Sequence, residues 1–189
     1  LSCERTALNL LSRMSGIATQ TNFLVSKIRK INRKTKLYST RKTAPGLRFF
    51  DKEAVKIGGG HKHRMSLNDM VMIKDNHLLV TNSMEDIIKN ARKRHKYVEV
   101  EVENQRDAIL AANSGATIVM LDNFSPAQIE KTITALQKKK LRNKVKLEAS
   151  GGINSKNITA YAKTGVDMIS VGSITNSVSG LDLSLEVCV

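Results

Sequence analysis

The sequence predicts an α/β fold, a parallel βα barrel left incomplete at six or seven strands. Two observations carry that expectation. Short β-branched runs alternate with amphipathic runs in units of about 20 to 30 residues, a spacing that strand-connection rules turn into a parallel sheet. Runs such as "TIVML" and "DMISV" are apolar without interruption, as a sheet covered on both faces requires. An open doubly wound sheet is the alternative architecture.

Taken in order, residues 1–34 read as a leading helical segment. "RTALNLLSRMSGIA" puts Ala7, Leu8, Leu11, Met14 and Ala18 on one helical face, and the helix continues through "TNFLVSKIRKI". "TKLYSTR" is a strand stopped by the turn "APG", and "MVMIKD" is a second strand. "SMEDIIKNARKRH" is a helix capped by Ser83, with Asp86 three residues on. Strands "YVEVEV", "ATIVMLD", "KVKLEAS" and "VDMISVG" then alternate with helices "QRDAILAANSG", "SPAQIEKTITALQKKK" and "SKNITAYAKTG". Ser125 and Pro126 suit the cap and first position of their helix. "GLDLSLEV" reads as a short closing element. Residues 1–189 form one domain, and the start at Leu1 inside a helical pattern reads as a piece of something longer.

Composition narrows the class. The formal charge of +14 favours anionic partners, whether nucleic acid, an acidic membrane face or small phosphorylated and carboxylated substrates. Aromatic residues make up 4% with no Trp, which argues against a reader that stacks bases on exposed rings. Cys3 and Cys188 are the two cysteines, and neither a zinc nor a disulfide pattern surrounds them, so a reducing cytoplasmic setting fits. No window approaches the roughly 20 apolar residues that span a bilayer.

Parallel α/β folds keep their chemistry at the carboxyl ends of the strands. Those ends carry Thr40, Arg41, Lys42 and Thr43, then Lys74, Asp75, Asn76 and His77. Glu99, Glu101 and Glu103 alternate on one face of "YVEVEVE". Asp122 and Asn123, then Glu148, Ser150, Gly151 and Gly152, then Gly172 and Ser173 close the later strands. "ASGGI" and "SVGS", on consecutive strands, offer unobstructed backbone N–H groups to a phosphate, whereas either alone reads as a tight turn. Glu101 and Asp122 suit Mg²⁺, ribose hydroxyls or acid–base work, with structural ion pairs as the competing reading. His61 and His63 lie beside Arg64 without a third metal ligand in pattern, and Gly58 to Gly60 read as a flexible bend.

The motifs "TRKTAPGLR", "GGGHKHRMSLNDMVMIKDNH", "VEVEVEN", "VMLDNF", "LEASGGI" and "ISVGSIT" resemble, in this order, the quinolinate phosphoribosyltransferase family. The resemblance runs from about residue 4 to the end and implies the C-terminal barrel part of a two-domain chain, with the N-terminal α/β domain missing. The implied reaction joins the quinolinate nitrogen to C1 of phosphoribosyl pyrophosphate with Mg²⁺, expels pyrophosphate, and loses CO₂ to give nicotinate mononucleotide for NAD synthesis. By resemblance, Arg41, His63, Arg64 and Lys74 line the quinolinate pocket, and Arg5 reaches a neighbouring subunit's site. Lys42, Glu101, Asp122, Ser150, Gly151, Gly152 and Gly172 face phosphoribosyl pyrophosphate. Lys42, Lys74, Glu101 and Asp122 are the implied catalytic set, with Glu101 and Asp122 toward the metal. A homodimer or a hexamer with shared sites is implied. Relatives often carry His where Asn176 stands, so that contact is not carried over.

Two rival readings remain. A phosphoribosyltransferase of the same fold acting on another acidic or aromatic base is the nearer. A basic nucleic-acid binder or an inactive fragment is the more distant, and nucleic acid is not expected as the primary partner.

Overall fold

A computed structural model describes residues 3–74, 76–77 and 83–186. Six strands form one sheet: β1 (Lys36–Tyr38), β2 (Val71–Ile73), β3 (Val98–Val102), β4 (Ile118–Asp122), β5 (Lys146–Ser150) and β6 (Met168–Ser170). Every pairing is parallel, and the spatial order is β1-β6-β5-β4-β3-β2. This is barrel order with its seam between β1 and β2. A seventh place is held by one residue, since His61 donates its N–H to Leu37 and accepts from Ser39 N–H, making a single parallel bridge at Tyr38. Among the described residues no ladder joins that segment to β2, so the barrel is incomplete, as expected.

The central strands explain themselves. In β4 the first four residues are all buried, and β3 buries Val98, Val100 and Val102 against the helices. Three helices follow the strand pattern: α3 (Met84–Arg94), α4 (Gln105–Asn113) and α5 (Pro126–Lys138). Ser125 and Gln128 complete a reciprocal capping box on α5, with Pro126 at its first turn. At α3 only half of such a box forms, Ser83 accepting from Asp86 N–H.

The leading helix, α1 (Glu4–Ile31), is continuous, but its inner stripe is not the expected one. Leu8, Ile17, Leu24, Val25 and Ile28 are buried, while Ala7 and Leu11 face outward. The apolar positions of this helix outnumber the core-facing ones, and packing against its neighbours selects among them. A helix that the sequence pattern did not announce, α2 (Arg48–Ile57), lies against α1. Its inner face buries Asp51 and Lys52 beside Ala54 and Val55, so charged residues mask the apolar period. Gly58 and Gly60 are contact points rather than a loose bend: a Cβ on either would stand 2.5 Å from Ala18 O or 2.8 Å from Thr21 Cγ2. The last two helices are short, α6 (Ile158–Lys163) and α7 (Ser173–Asn176).

The expected closing element does not form among residues 177–186. That segment has no strand to pair with and crosses α1 instead, where Leu181 N–H donates to Ser12 O at 3.2 Å. Gly16 permits the crossing, since a Cβ there would meet Ser179 O at 2.1 Å. No helix among the described residues is long and apolar enough to cross a membrane. Cys3 is exposed and free, and Cys188 lies outside the described residues.

Candidate active site

The strand ends converge on one cavity of about 340 Å³. Thr40, Arg41 and Lys42 reach it from β1, His63 and Arg64 from the bridge segment, and Lys74 from β2. Glu101, Asp122, Ser150 and Ser170 complete it from β3, β4, β5 and β6. A larger cavity of about 750 Å³ lies toward the amino ends of the strands, lined by Ile118, Lys146 and Met168. His63 and Arg64 line both, so they separate the two spaces along the barrel axis. Size does not locate the chemistry; both cavities carry charged side chains, and the smaller one lies at the end where parallel barrels act.

The loop bearing Arg41 and Lys42 is fixed from behind. Arg13 grips the buried Asp51 with both arms of its guanidinium, at 2.7 and 2.8 Å, and donates to Thr175 O at 2.8 Å. Asp51 accepts from Ala44 N–H at 3.3 Å, and Thr175 Oγ1 donates to Lys42 O at 2.8 Å. One bidentate pair thus ties α1, α2 and α7 to the loop. Arg41 itself keeps a buried Nε without a hydrogen-bond partner. A buried unpaired guanidinium donor is costly, and an anion in the cavity would satisfy it.

Lys74 and Glu101 pair at 2.5 Å across the mouth, both open to solvent in part. Deeper, His63 stands between two carboxylates that are 0% exposed, with Nε2 at 3.5 Å from Glu99 and 3.4 Å from Glu148. Ser170 Oγ donates to Glu148 at 2.5 Å, whereas neither oxygen of Glu99 has a hydrogen-bond partner. Burial, reinforced by the neighbouring Glu148, pushes Glu99 upward against the pull of His63. For His63, burial acts downward, and Glu148 and Glu99 together outweigh it and raise the imidazole. The Arg64 N–H aimed at His63 Nδ1 at 2.9 Å opposes a second proton there. The pull of the two carboxylates keeps a proton on Nε2, the ring nitrogen that faces them.

These three side chains also bring ligand atoms within 4.8 Å of one another, a grouping that the spacing of His61 and His63 did not reveal. A metal on Nε2 would move the ring proton to Nδ1, against the Arg64 N–H. The cluster closes the floor of the site, with Ser170 Oγ bonded to Glu148 and His63 Nε2 set between the two carboxylates.

Glu99 and Glu148, named from the sequence among the strand residues but given no role in the site, thus form its floor, and Asp51 behind the loop is a residue the sequence did not single out. The alternation in "YVEVEVE" identified the face of Glu99 but not its depth. Of the residues expected at the site, Gly151, Gly152 and Gly172 sit in the adjoining loops rather than on the cavity wall. Gly151 has φ of 92°, and a Cβ on it would strike Asn123 Oδ1 at 2.2 Å, while nothing stands within 4 Å of the corresponding point on Gly152. Arg5 lies exposed in the first turn of α1, outside the cavity. Asn176 borders Gly172. Asp75 lies outside the described residues.

Fold and site together define an α/β-barrel protein with an anion-seeking pocket at the strand ends. The profile described as "Quinolinate phosphoribosyl transferase, C-terminal domain" matches residues 17–186. A probable nicotinate-nucleotide pyrophosphorylase [carboxylating] from Methanothermobacter thermautotrophicus is 50% identical, across 99% of this chain and 68% of its own length. The rat nicotinate-nucleotide pyrophosphorylase [carboxylating] is 40% identical, across 97% of this chain and 62% of its own. The solved nicotinate-nucleotide pyrophosphorylase of Francisella tularensis superposes with a TM-score of 0.89 at 45% identity, over 97% of this chain and 64% of that one. The chain belongs to the quinolinate phosphoribosyl transferase family and spans its C-terminal domain. It covers slightly under two thirds of that solved relative's length.

Proposed function

We propose that this chain carries the site for phosphoribosyl transfer from phosphoribosyl pyrophosphate to quinolinate with decarboxylation, yielding nicotinate mononucleotide, pyrophosphate and CO₂. The observation that carries the reading is the buried, unpartnered Nε of Arg41 in a cavity shared with Arg64 and Lys74, facing Glu101 and Asp122. Adjacent carboxylates on a planar ring call for crowded cations, and guanidinium forks match them. Arg41, His63, Arg64 and Lys74 bind the dicarboxylate, while Lys42 and Ser150 face the phosphoribosyl donor. The loops at Gly151, Gly152 and Gly172 supply backbone N–H groups to its 5-phosphate.

In the transfer, the pyridine nitrogen bonds to C1 of the ribose as the C1–O bond to pyrophosphate breaks. C1 gains positive character, which the carboxylates of Glu101 and Asp122 steady, and Lys42 offsets the charge on the leaving group. The C2–carboxylate bond then breaks, CO₂ leaves, and the electron pair remaining at C2 takes a proton. Lys74 and Arg41 stabilise that developing charge beside the pyridinium. The donor set suits Mg²⁺, because Glu101 and Asp122 are hard oxygen ligands and each engages only one oxygen in its described bonds. When bound, the ion would offset charge on the pyrophosphate. A homodimer or a larger assembly that brings Arg5 to a neighbour's cavity completes the reading, with the chain acting as one catalytic domain in the cytoplasm.

The test is CO₂ release from carboxyl-labelled quinolinate with phosphoribosyl pyrophosphate and Mg²⁺. One CO₂ per nucleotide formed is expected. Nucleotide formation from nicotinate, with quinolinate left untouched, would overturn the choice of substrate.

A further inference from the structure

Lys52 is a buried cation that the proposed chemistry does not use. Its side chain is fully buried on the inner face of α2. None of the ion pairs found among the described residues includes it. Its Nζ instead donates to two backbone carbonyls, those of Lys62 and Arg64, the latter at 2.8 Å. The carbonyls flank His63, whose φ of 54° places a non-glycine residue in the left-handed region. Such a conformation costs on the order of 1–2 kcal/mol and persists only where its surroundings hold it.

The surroundings hold the turn from two sides. Ser39 Oγ donates to the same Lys62 carbonyl at 2.8 Å, and Arg48, also on α2, donates to Met65 O at 3.2 Å. Tyr38 meets the His63 ring edge-on at 5.9 Å, and the buried carboxylates of Glu99 and Glu148 stand 3.5 and 3.4 Å from its Nε2. The turn is thus pinned through its carbonyls by α2 and through its side chain by the barrel floor. An apolar residue at position 52 would fill the same volume without the cost of a buried charge. Burial comes first, and then Arg48, Arg41 and Arg64; together they pull the Lys52 ammonium down to about 8, only partly countered by Asp69. A lysine kept among cations makes sense where two carbonyls need donors.

We propose that Lys52 is a positioning residue for the dicarboxylate pocket: bonded to the Lys62 and Arg64 carbonyls, it holds the turn that aims His63 and Arg64 into the cavity. This rests on the reading of His63 and Arg64 as dicarboxylate ligands. Its role is indirect, since Lys52 does not line the cavity.

The test uses Lys52→Met, which keeps length and apolar stem but has no donor. By calorimetry the variant should bind quinolinate about 10²-fold more weakly, with phosphoribosyl pyrophosphate affinity within about threefold of the parent, as a misplaced pocket wall predicts. Independently of any ligand, the His63 ring resonances of histidine-labelled chain, assigned by their loss in His63→Gln, should shift in Lys52→Met. Ser39→Ala removes a second donor to the Lys62 carbonyl and should shift the same resonances less, which carries the test if Lys52→Met does not fold. Unmoved His63 resonances in the folded variant, or equal loss of both substrates, would overturn the proposal. A parent chain that fails to bind quinolinate would instead remove the substrate reading, and the resonance shift alone would then decide Lys52.

Discussion

Glu99 and Glu101 stand two residues apart on the same face of β3 and meet opposite surroundings. Glu99 is fully buried beside His63 and Glu148, with ligand atoms of the three within 4.8 Å of one another. Glu101 is 18% exposed, paired with Lys74 at the cavity mouth, with its second oxygen open to a ligand. The same residue type on the same strand face thus builds a floor at one depth and a cavity wall one layer above. What separates them is desolvation: a fully buried carboxylate is cut off from water, whereas a partly exposed one can exchange water for substrate.

The sharpest way to break this contrast is to truncate each layer and read stability. Glu148→Ala removes the acceptor of Ser170 and one partner of His63, and should cost about 3–5 kcal/mol in urea unfolding, as breaking a buried pair does. Glu101→Ala, at the partly exposed mouth, should cost under about 1 kcal/mol. Equal costs would erase the distinction between floor and wall.

Activity should show the reverse order. Lys74→Ala should lower turnover by about 10²–10³-fold while leaving the unfolding midpoint nearly unchanged, since a preorganised charge is lost and no buried group is orphaned. Near-normal turnover would remove Lys74 from the catalytic set.

A third prediction concerns pH. Lys52 is depressed to about 8 from an ordinary 10.5, so the folded state gives up its proton more readily than the unfolded one. Stability contributed by this group is therefore greatest above pH 10.5 and falls as pH drops toward 8, becoming constant below. Relative to Lys52→Met, the parent should lose on the order of 3 kcal/mol across that window, read from urea midpoints at several pH values. A pH-independent difference would place Lys52 in a more hydrated setting. A modest effect is expected for Ser170→Ala, which removes one hydrogen bond to Glu148 and should cost about 1 kcal/mol in urea unfolding.

The barrel was legible because its strands are apolar runs and its helices carry caps, as at Ser125 and Pro126. The mouth was legible because polar residues recur at strand ends, from Arg41 to Ser150. The floor was not. Period-two alternation assigns Glu99 and Glu101 to one face but carries no information on depth along the barrel axis, which closure of the sheet sets. α2 escaped notice for a related reason: Asp51 and Lys52 look like surface residues until tertiary structure gives each its buried partners. The outward turn of Leu11 on α1 shows the same limit, since packing chooses among several apolar stripes.

The central claim is that the half-buried layer at the strand ends is an anion site for quinolinate, with Arg41 held ready by a donor no other group satisfies. Calorimetric titration of quinolinate into the parent chain and into Arg41→Met tests it directly. Saturable binding by the parent, weakened about tenfold or more in the variant, is the expected result. Equal binding by the two chains would contradict the account.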